Sequence, residues 1–212
     1  MTDFAQQLRS YRIIPVLTVE SSNEAVSVCK ALQAGGIKTV EITLRTTAGF
    51  DAIAAVNAEL QNFDVGAGTI KTPSDLEKLA NMGAAFAVSP GYTAELNDCA
   101  AALEMNWLPG IATASELMRG LADGRRCFKL FPAQAVGGIA LLKSLAAPFA
   151  EACFCPTGGI SPDNYQSYLR LANVLCVGGS WMVSRELIEN AQWDKISELS
   201  RQCMSGGQDQ LY

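Results

Sequence analysis

The sequence predicts an α/β chain that folds as a (β/α)8 TIM barrel with a short N-terminal helix. Eight short apolar segments, each followed by a helix-patterned segment, recur at intervals of about 21 to 26 residues. Short turns rich in Gly, Pro and Ser separate them, and eight such units are the number that closes a barrel. An open doubly wound sheet is the structural alternative, weakened because no G-x-G-x-x-G follows the first strand. With 212 residues, 49% apolar and 17% charged, the chain suits one large core, so residues 1–212 are expected to form a single barrel domain.

Residues 1–10 open the chain as a helix with apolar positions at Phe4, Ala5 and Leu8, suited to plug or cap something larger. Strand one covers Arg12 to Val16, and Glu20-Ser21-Ser22-Asn23 supplies N-cap chemistry for a helix that Gly35-Gly36 ends. Strand two is Ile37 to Leu44, followed by a helix over Ala48 to Leu60; strand three is Phe63 to Gly66, followed by Pro73 to Met82. Strand four is Ala85 to Val88 with a helix from Thr93 to Leu103, and strand five is Asn106 to Pro109 with a helix from Ala114 to Ala122. Strand six, Cys127 to Phe131, precedes a helix from Val136 to Leu145, and strand seven, Cys153 to Pro156, precedes one from Pro162 to Leu169. Strand eight is Asn173 to Val177 with a helix near Ser180 to Ile188, and a last helix runs from Gln192 to Cys203. The polar tail from Ser205 to Tyr212 is expected to fray.

Composition narrows the chemistry. Sixteen basic against 21 acidic residues give a net charge of −5, and no basic stripe suits nucleic acid. No apolar run approaches a membrane span, and seven cysteines without framework spacing suggest reduced thiols in the cytoplasm. With no C-x-x-C pair and no histidine, a zinc site is not expected. The absence of histidine also excludes Ser-His-Asp and Cys-His machinery, so Glu, Asp, Lys, Tyr, Cys or water must supply acid, base and nucleophile.

One cation is out of place. Lys129 lies in the apolar run Cys-Phe-Lys-Leu-Phe-Pro-Ala of residues 127–133. An ammonium taken out of water is costly unless it is paired or loses its proton, and a neutral amine is a nucleophile. The structural alternative is a lysine that snorkels from the strand end or pairs with a buried carboxylate. Strand two ends Glu41-Ile42-Thr43-Leu44-Arg45, where Glu41, Thr43 and Arg45 alternate with apolar residues and are expected on one face. Inside a barrel that face aims a carboxylate and a guanidinium inward, for function or as a structural salt bridge.

Glycines mark the other strand ends. Gly66-Ala67-Gly68-Thr69 after strand three allows close backbone approach and adds a hydroxyl; Ser89-Pro90-Gly91 after strand four is similar. Thr157-Gly158-Gly159-Ile160 and Gly178-Gly179-Ser180 both lead into predicted helices after strands seven and eight, where barrels bind phosphate. Helix-packing glycines are the bland explanation for either loop taken singly.

These motifs together resemble the bacterial 2-keto-3-deoxy-6-phosphogluconate (KDPG) and 4-hydroxy-2-oxoglutarate aldolase family. The resemblance rests on Glu-x-Thr-x-Arg at 41–45, Gly-Ala-Gly-Thr at 66–69, Ser-Pro-Gly at 89–91, Phe-Lys-x-Phe-Pro-Ala at 128–133, Pro-Thr-Gly-Gly-Ile at 156–160 and Gly-Gly-Ser-Trp at 178–181. It implies a class I, Schiff-base aldolase, commonly a homotrimer, that needs no metal or other cofactor and serves the Entner–Doudoroff pathway. Lys129 would form the Schiff base and Glu41 would be the general acid and base. Arg45 and Thr69 would hold the pyruvoyl carboxylate. Pro90, Phe131 and Thr157 would line the pocket, while Gly158, Gly159, Gly179 and Ser180 would meet the phosphate. Leu130 stands where the family also carries aromatics. Galactonate-type relatives differ at the Ser-Pro-Gly and Pro-Thr-Gly-Gly positions, which favours the gluconate-type phosphorylated keto acid as partner. Two rivals remain: another phosphate-binding barrel, such as a sugar-phosphate isomerase or epimerase, and a non-catalytic barrel that binds a metabolite.

Overall fold

In the computed structural model, which describes residues 3–205, strand and helix alternate from α1 (Asp3–Tyr11) to α10 (Trp193–Ser205). Between them run β1 (Ile13–Leu17), α2 (Ser22–Ala34), β2 (Thr39–Thr43), α3 (Gly49–Glu59), β3 (Asp64–Gly68), α4 (Pro73–Asn81) and β4 (Phe86–Val88). Then follow α5 (Ala94–Ala102), β5 (Trp107–Leu108), β6 (Gly110–Ile111), α6 (Ala114–Ala122), β7 (Cys127–Leu130) and α7 (Gly138–Ala146). The chain continues through β8 (Cys153–Pro156), α8 (Tyr165–Leu169), β9 (Val177–Gly179), a 3-10 turn (Trp181–Val183) and α9 (Arg185–Glu189). Side-chain caps start many of these helices: Ser21 accepts from the Glu24 amide, and Thr72 and Thr113 form capping boxes with Asp75 and Glu116.

All strand pairing is parallel. One ladder runs β5-β4-β3-β2-β1-β9 and the other β6-β7-β8. β5 and β6 are one stave interrupted at Pro109, whose ring nitrogen has no hydrogen to donate, although its carbonyl still accepts from the Lys129 amide at 2.8 Å. Parallel bridges Phe154↔Val174 and Thr157↔Gly178 join β8 to the last stave and close the (β/α)8 barrel.

Pleat alternation divides the core in two. Ile13, Val40, Ile42, Val65, Ala67, Ala87, Phe128 and Phe154 face the helices. Ile14, Phe86, Val88, Leu108, Cys127, Cys155 and Cys176 form a second cluster with Ala5, Leu8 and Tyr11 of α1. That cluster is the barrel interior, and α1 plugs its lower end as its apolar positions predicted.

Several boundaries differ from the sequence expectation. β3 continues past Gly66 to Gly68, so Ala67 and Gly68 are strand residues rather than turn residues. The segment 180–188 is not one helix, because Ser184 is extended and its hydroxyl caps α9. α7 starts at Gly138 rather than Val136, after a left-handed Gly137 (φ 115°), and α8 starts at Tyr165 rather than Pro162. The expected frayed tail, apart from Ser205 at the end of α10, lies outside the described residues.

Candidate active site

In β7, Phe128 and Leu130 pack outward, which leaves Cys127 and Lys129 on the interior pleat with Lys129 nearer the C-terminal mouth. In β2, Val40 and Ile42 pack outward, so Thr39, Glu41 and Thr43 point in. Lys129 Nζ then lies 3.2 Å from Glu41 Oε1 and 3.4 Å from Oε2, with the two residues only 6% and 3% exposed. Each charge answers the desolvation of the other. The Phe131 ring centroid is 5.3 Å from the same Nζ, on the segment just past β7. Below, burial and then its hydrogen bond with Cys155 push the Cys176 thiol far up, so it adds no charge to the interior.

Thr43, fully buried on the Glu41 pleat, shares a 2.8 Å hydrogen bond with the Thr18 hydroxyl. Arg45 does not continue that pleat. The strand ends at Thr43 and turns toward α3, leaving Arg45 exposed and without an ion pair to Glu41. It lines a groove at the barrel mouth with Thr18, Glu20, Ser180 and Arg185. The salt bridge weighed for Glu41 and Arg45 therefore gives way to Glu41 and Lys129.

Thr69 follows β3 in the left-handed region at φ 67°, an uncommon position for a β-branched residue, and is half-buried. Pro90 is exposed, and the Ser89-Pro90-Gly91 loop is tied by Trp107 Nε1 donating to Ser89 Oγ (3.1 Å) and Ser89 Oγ donating to the Gly91 carbonyl (2.7 Å). Thr157 is buried against Gly178, where a Cβ would lie 2.3 Å from Thr157 Oγ1.

The two glycine loops are unlike each other. Gly158 and Gly159 take φ of 97° and 77° and do not open a helix; Asn164 spans the loop, accepting from the Ser161 amide and donating to the Gly159 carbonyl, both at 2.9 Å. Their expected placement at a helix N-terminus is corrected, because Pro162 to Asn164 form turns before α8. Gly179 and the exposed Ser180 do run directly into a helical turn, with the Trp181 ring filling the side-chain space of Gly179. The sequence did not single out Thr18; its one signal was a hydroxyl just past the apolar run of strand one.

Comparison with known proteins places the chain in a family and agrees with the fold. The sequence pattern of the aldolase family described as "KDPG and KHG aldolase" matches residues 4–199. The "KHG/KDPG aldolase" of Escherichia coli (strain K12) is 45% identical over 194 residues, covering 92% of this chain and 91% of that protein. The crystal structure of KDPG aldolase from Legionella pneumophila, with pyruvate captured at low pH as a covalent carbinolamine intermediate, superposes with a TM-score of 0.92 at 42% identity, over 95% of this chain and 98% of the other. The KDPG aldolase of Zymomonas mobilis ZM4 with 3-phosphoglycerate gives a TM-score of 0.89 at 38% identity, over 96% and 95% of the two chains. A barrel whose buried lysine and carboxylate meet at the mouth, matched along nearly its whole length in sequence and in fold, belongs to the KDPG and KHG aldolase family.

Proposed function

We propose that this chain is a class I aldolase that cleaves 2-keto-3-deoxy-6-phosphogluconate to pyruvate and glyceraldehyde 3-phosphate, and that it also acts on 4-hydroxy-2-oxoglutarate. The observation that carries this reading is the 3.2 Å contact between Lys129 Nζ and Glu41 Oε1 inside the barrel. Proton transfer from the ammonium to the carboxylate across this contact would release an amine nucleophile.

The amine of Lys129 attacks C2 of the keto acid and forms a carbinolamine. Glu41 protonates the departing hydroxyl, water leaves, and an iminium remains. Glu41, acting through a bound water, takes the proton of the C4 hydroxyl as the C3–C4 bond breaks; its electron pair flows into the iminium to give an enamine and free the aldehyde. Protonation of C3 and hydrolysis then release pyruvate and restore Lys129.

Arg45 and the Thr69 hydroxyl hold the carboxylate, a fork that sets C2 against the amine. Pro90, Phe131 and Thr157 line the pocket, and the amides of Gly158, Gly159, Gly179 and Ser180 receive the phosphate. The exposure of Arg45 in the mouth groove supports its role, because its guanidinium opens on the groove while Glu41 is paired with Lys129. We further assign residues 1–212 to one domain working as a homotrimer in the cytoplasm. Seven cysteines without framework spacing support that compartment, and light scattering tests the trimer.

The deciding experiment is reduction with borohydride in the presence of pyruvate, followed by peptide mass spectrometry. A secondary-amine adduct on Lys129 is expected. Phosphorylated sugar binding without any adduct would instead select the isomerase or the non-catalytic barrel.

A further inference from the structure

Stave three brings no side chain into the barrel at the level of the site. Val65 and Ala67 face the helices, so Gly66 and Gly68 occupy the inward positions. Neighbouring staves fill the space they leave. A Cβ on Gly66 would lie 2.2 Å from the Phe86 ring, and a Cβ on Gly68 would lie 2.1 Å from Glu41 Oε1 and 2.7 Å from its Cδ and Cγ. Glu41 thus lies across the bare backbone of β3 on its way to Lys129.

We propose that Gly68 is a positioning residue of the active site, whose missing side chain is the space that lets the Glu41 carboxylate reach Lys129. The proposal rests on the aldolase reading of that pair. Gly68 lies outside the left-handed region, so an alanine can adopt its backbone. An added methyl meets the far end of a flexible side chain, and the least costly response is for Glu41 to swing away. Gly66 differs, because its methyl would meet a rigid ring in a close-packed layer and the cost would fall on folding. The displaced carboxylate loses its 3.2 Å approach to the amine, and misplacement of about 1 Å costs on the order of 10²-fold in rate.

Four proteins test this: wild type, Gly68→Ala, Glu41→Asp and the double variant, each measured for kcat, KM, urea midpoint and borohydride labelling with pyruvate. Gly68→Ala is expected to lower kcat about 10²-fold with a much smaller change in KM. Glu41→Asp draws the carboxylate back by one methylene, so it should cost at least about tenfold less kcat in the Gly68→Ala background than in wild type. Additive losses, or a Gly68→Ala kcat within about threefold of wild type, would overturn the proposal. If Gly68→Ala fails to fold, Glu41→Asp must restore folding; failure to do so overturns it equally. Unlabelled, inactive wild type would mean that the aldolase reading has failed, and coupling of the two urea midpoints would still decide whether Gly68 makes room for Glu41.

Discussion

Glu41 and Lys129 stand on opposite staves of the barrel, the second and the sixth, and their side chains meet across its axis at 3.2 Å. The chain contains no histidine to share in proton transfer, and Arg45 lines the mouth groove. Glu41→Gln is therefore expected to bind pyruvate yet slow aldol cleavage by about 10²–10⁴-fold, the range of general acid–base catalysis. A coupled assay of pyruvate release measures this. Turnover within a few-fold of wild type would remove Glu41 from proton transfer.

Thr69, proposed to hold the carboxylate, stores strain at φ 67°. A non-glycine residue in a sparsely populated region costs about 1–3 kcal/mol, and glycine there trades that strain for its own entropy cost of about 0.5–1 kcal/mol. Thr69→Gly should leave the urea midpoint unchanged or raise it, while the loss of the hydroxyl raises the KM for the keto acid about tenfold or more. A lower midpoint would show that φ 67° is not strained here, and an unchanged KM would release Thr69 from carboxylate binding.

Sequence periodicity carried much of this site, because a two-residue period decides which side chains point inward once strands are known. Lys129 and Glu41 were legible for that reason, as was the plug formed by Leu8 and its neighbours in α1. What escaped depends on residues far apart in the chain. Arg45 was expected on the Glu41 face, but the turn at Leu44 takes it out of the pleat, with Leu44 packed against Gly49 at the start of α3. The break in stave five at Pro109 has a local signal; the length of β3 does not. Gly66 and Gly68 resembled a turn because a strand with bare inward positions is legible only when Phe86 and Glu41, from the flanking staves, are seen to fill them.

Ser180 lies exposed at the start of the turn that follows β9, on the groove that also holds Arg45. If Ser180 meets the phosphate as proposed, a new carboxylate there would face it with little protein between them. Unit charges about 4 Å apart near a surface repel by about 4 kcal/mol before salt screening, so Ser180→Asp should raise the KM for 2-keto-3-deoxy-6-phosphogluconate more than tenfold. Unphosphorylated 4-hydroxy-2-oxoglutarate should be far less affected, and added salt should narrow the difference. Equal losses on both substrates would move the phosphate site elsewhere.

The buried pair is expected to cost stability that the fold could do without. Desolvating two ions offsets much of their attraction, whereas removing one partner strands the other charge in an apolar interior. Lys129→Met should therefore destabilise the protein by about 3–5 kcal/mol at neutral pH, with Glu41 left as a lone buried carboxylate. In that variant the loss should shrink as the pH falls from neutral toward the usual carboxylate range, because burial raises the folded-state pKa of the stranded Glu41 and it protonates in the interior first. Lys129→Met with Glu41→Met keeps two unbranched side chains of similar length and removes both charges. It should be inactive yet at least as stable as wild type, by up to about 4 kcal/mol. Urea midpoints at pH 5 and pH 7 give the comparison. A double variant as unstable as Lys129→Met would mean that the ion pair holds the barrel together; the expected order would mean that catalysis, and not folding, keeps Glu41 and Lys129 in the interior.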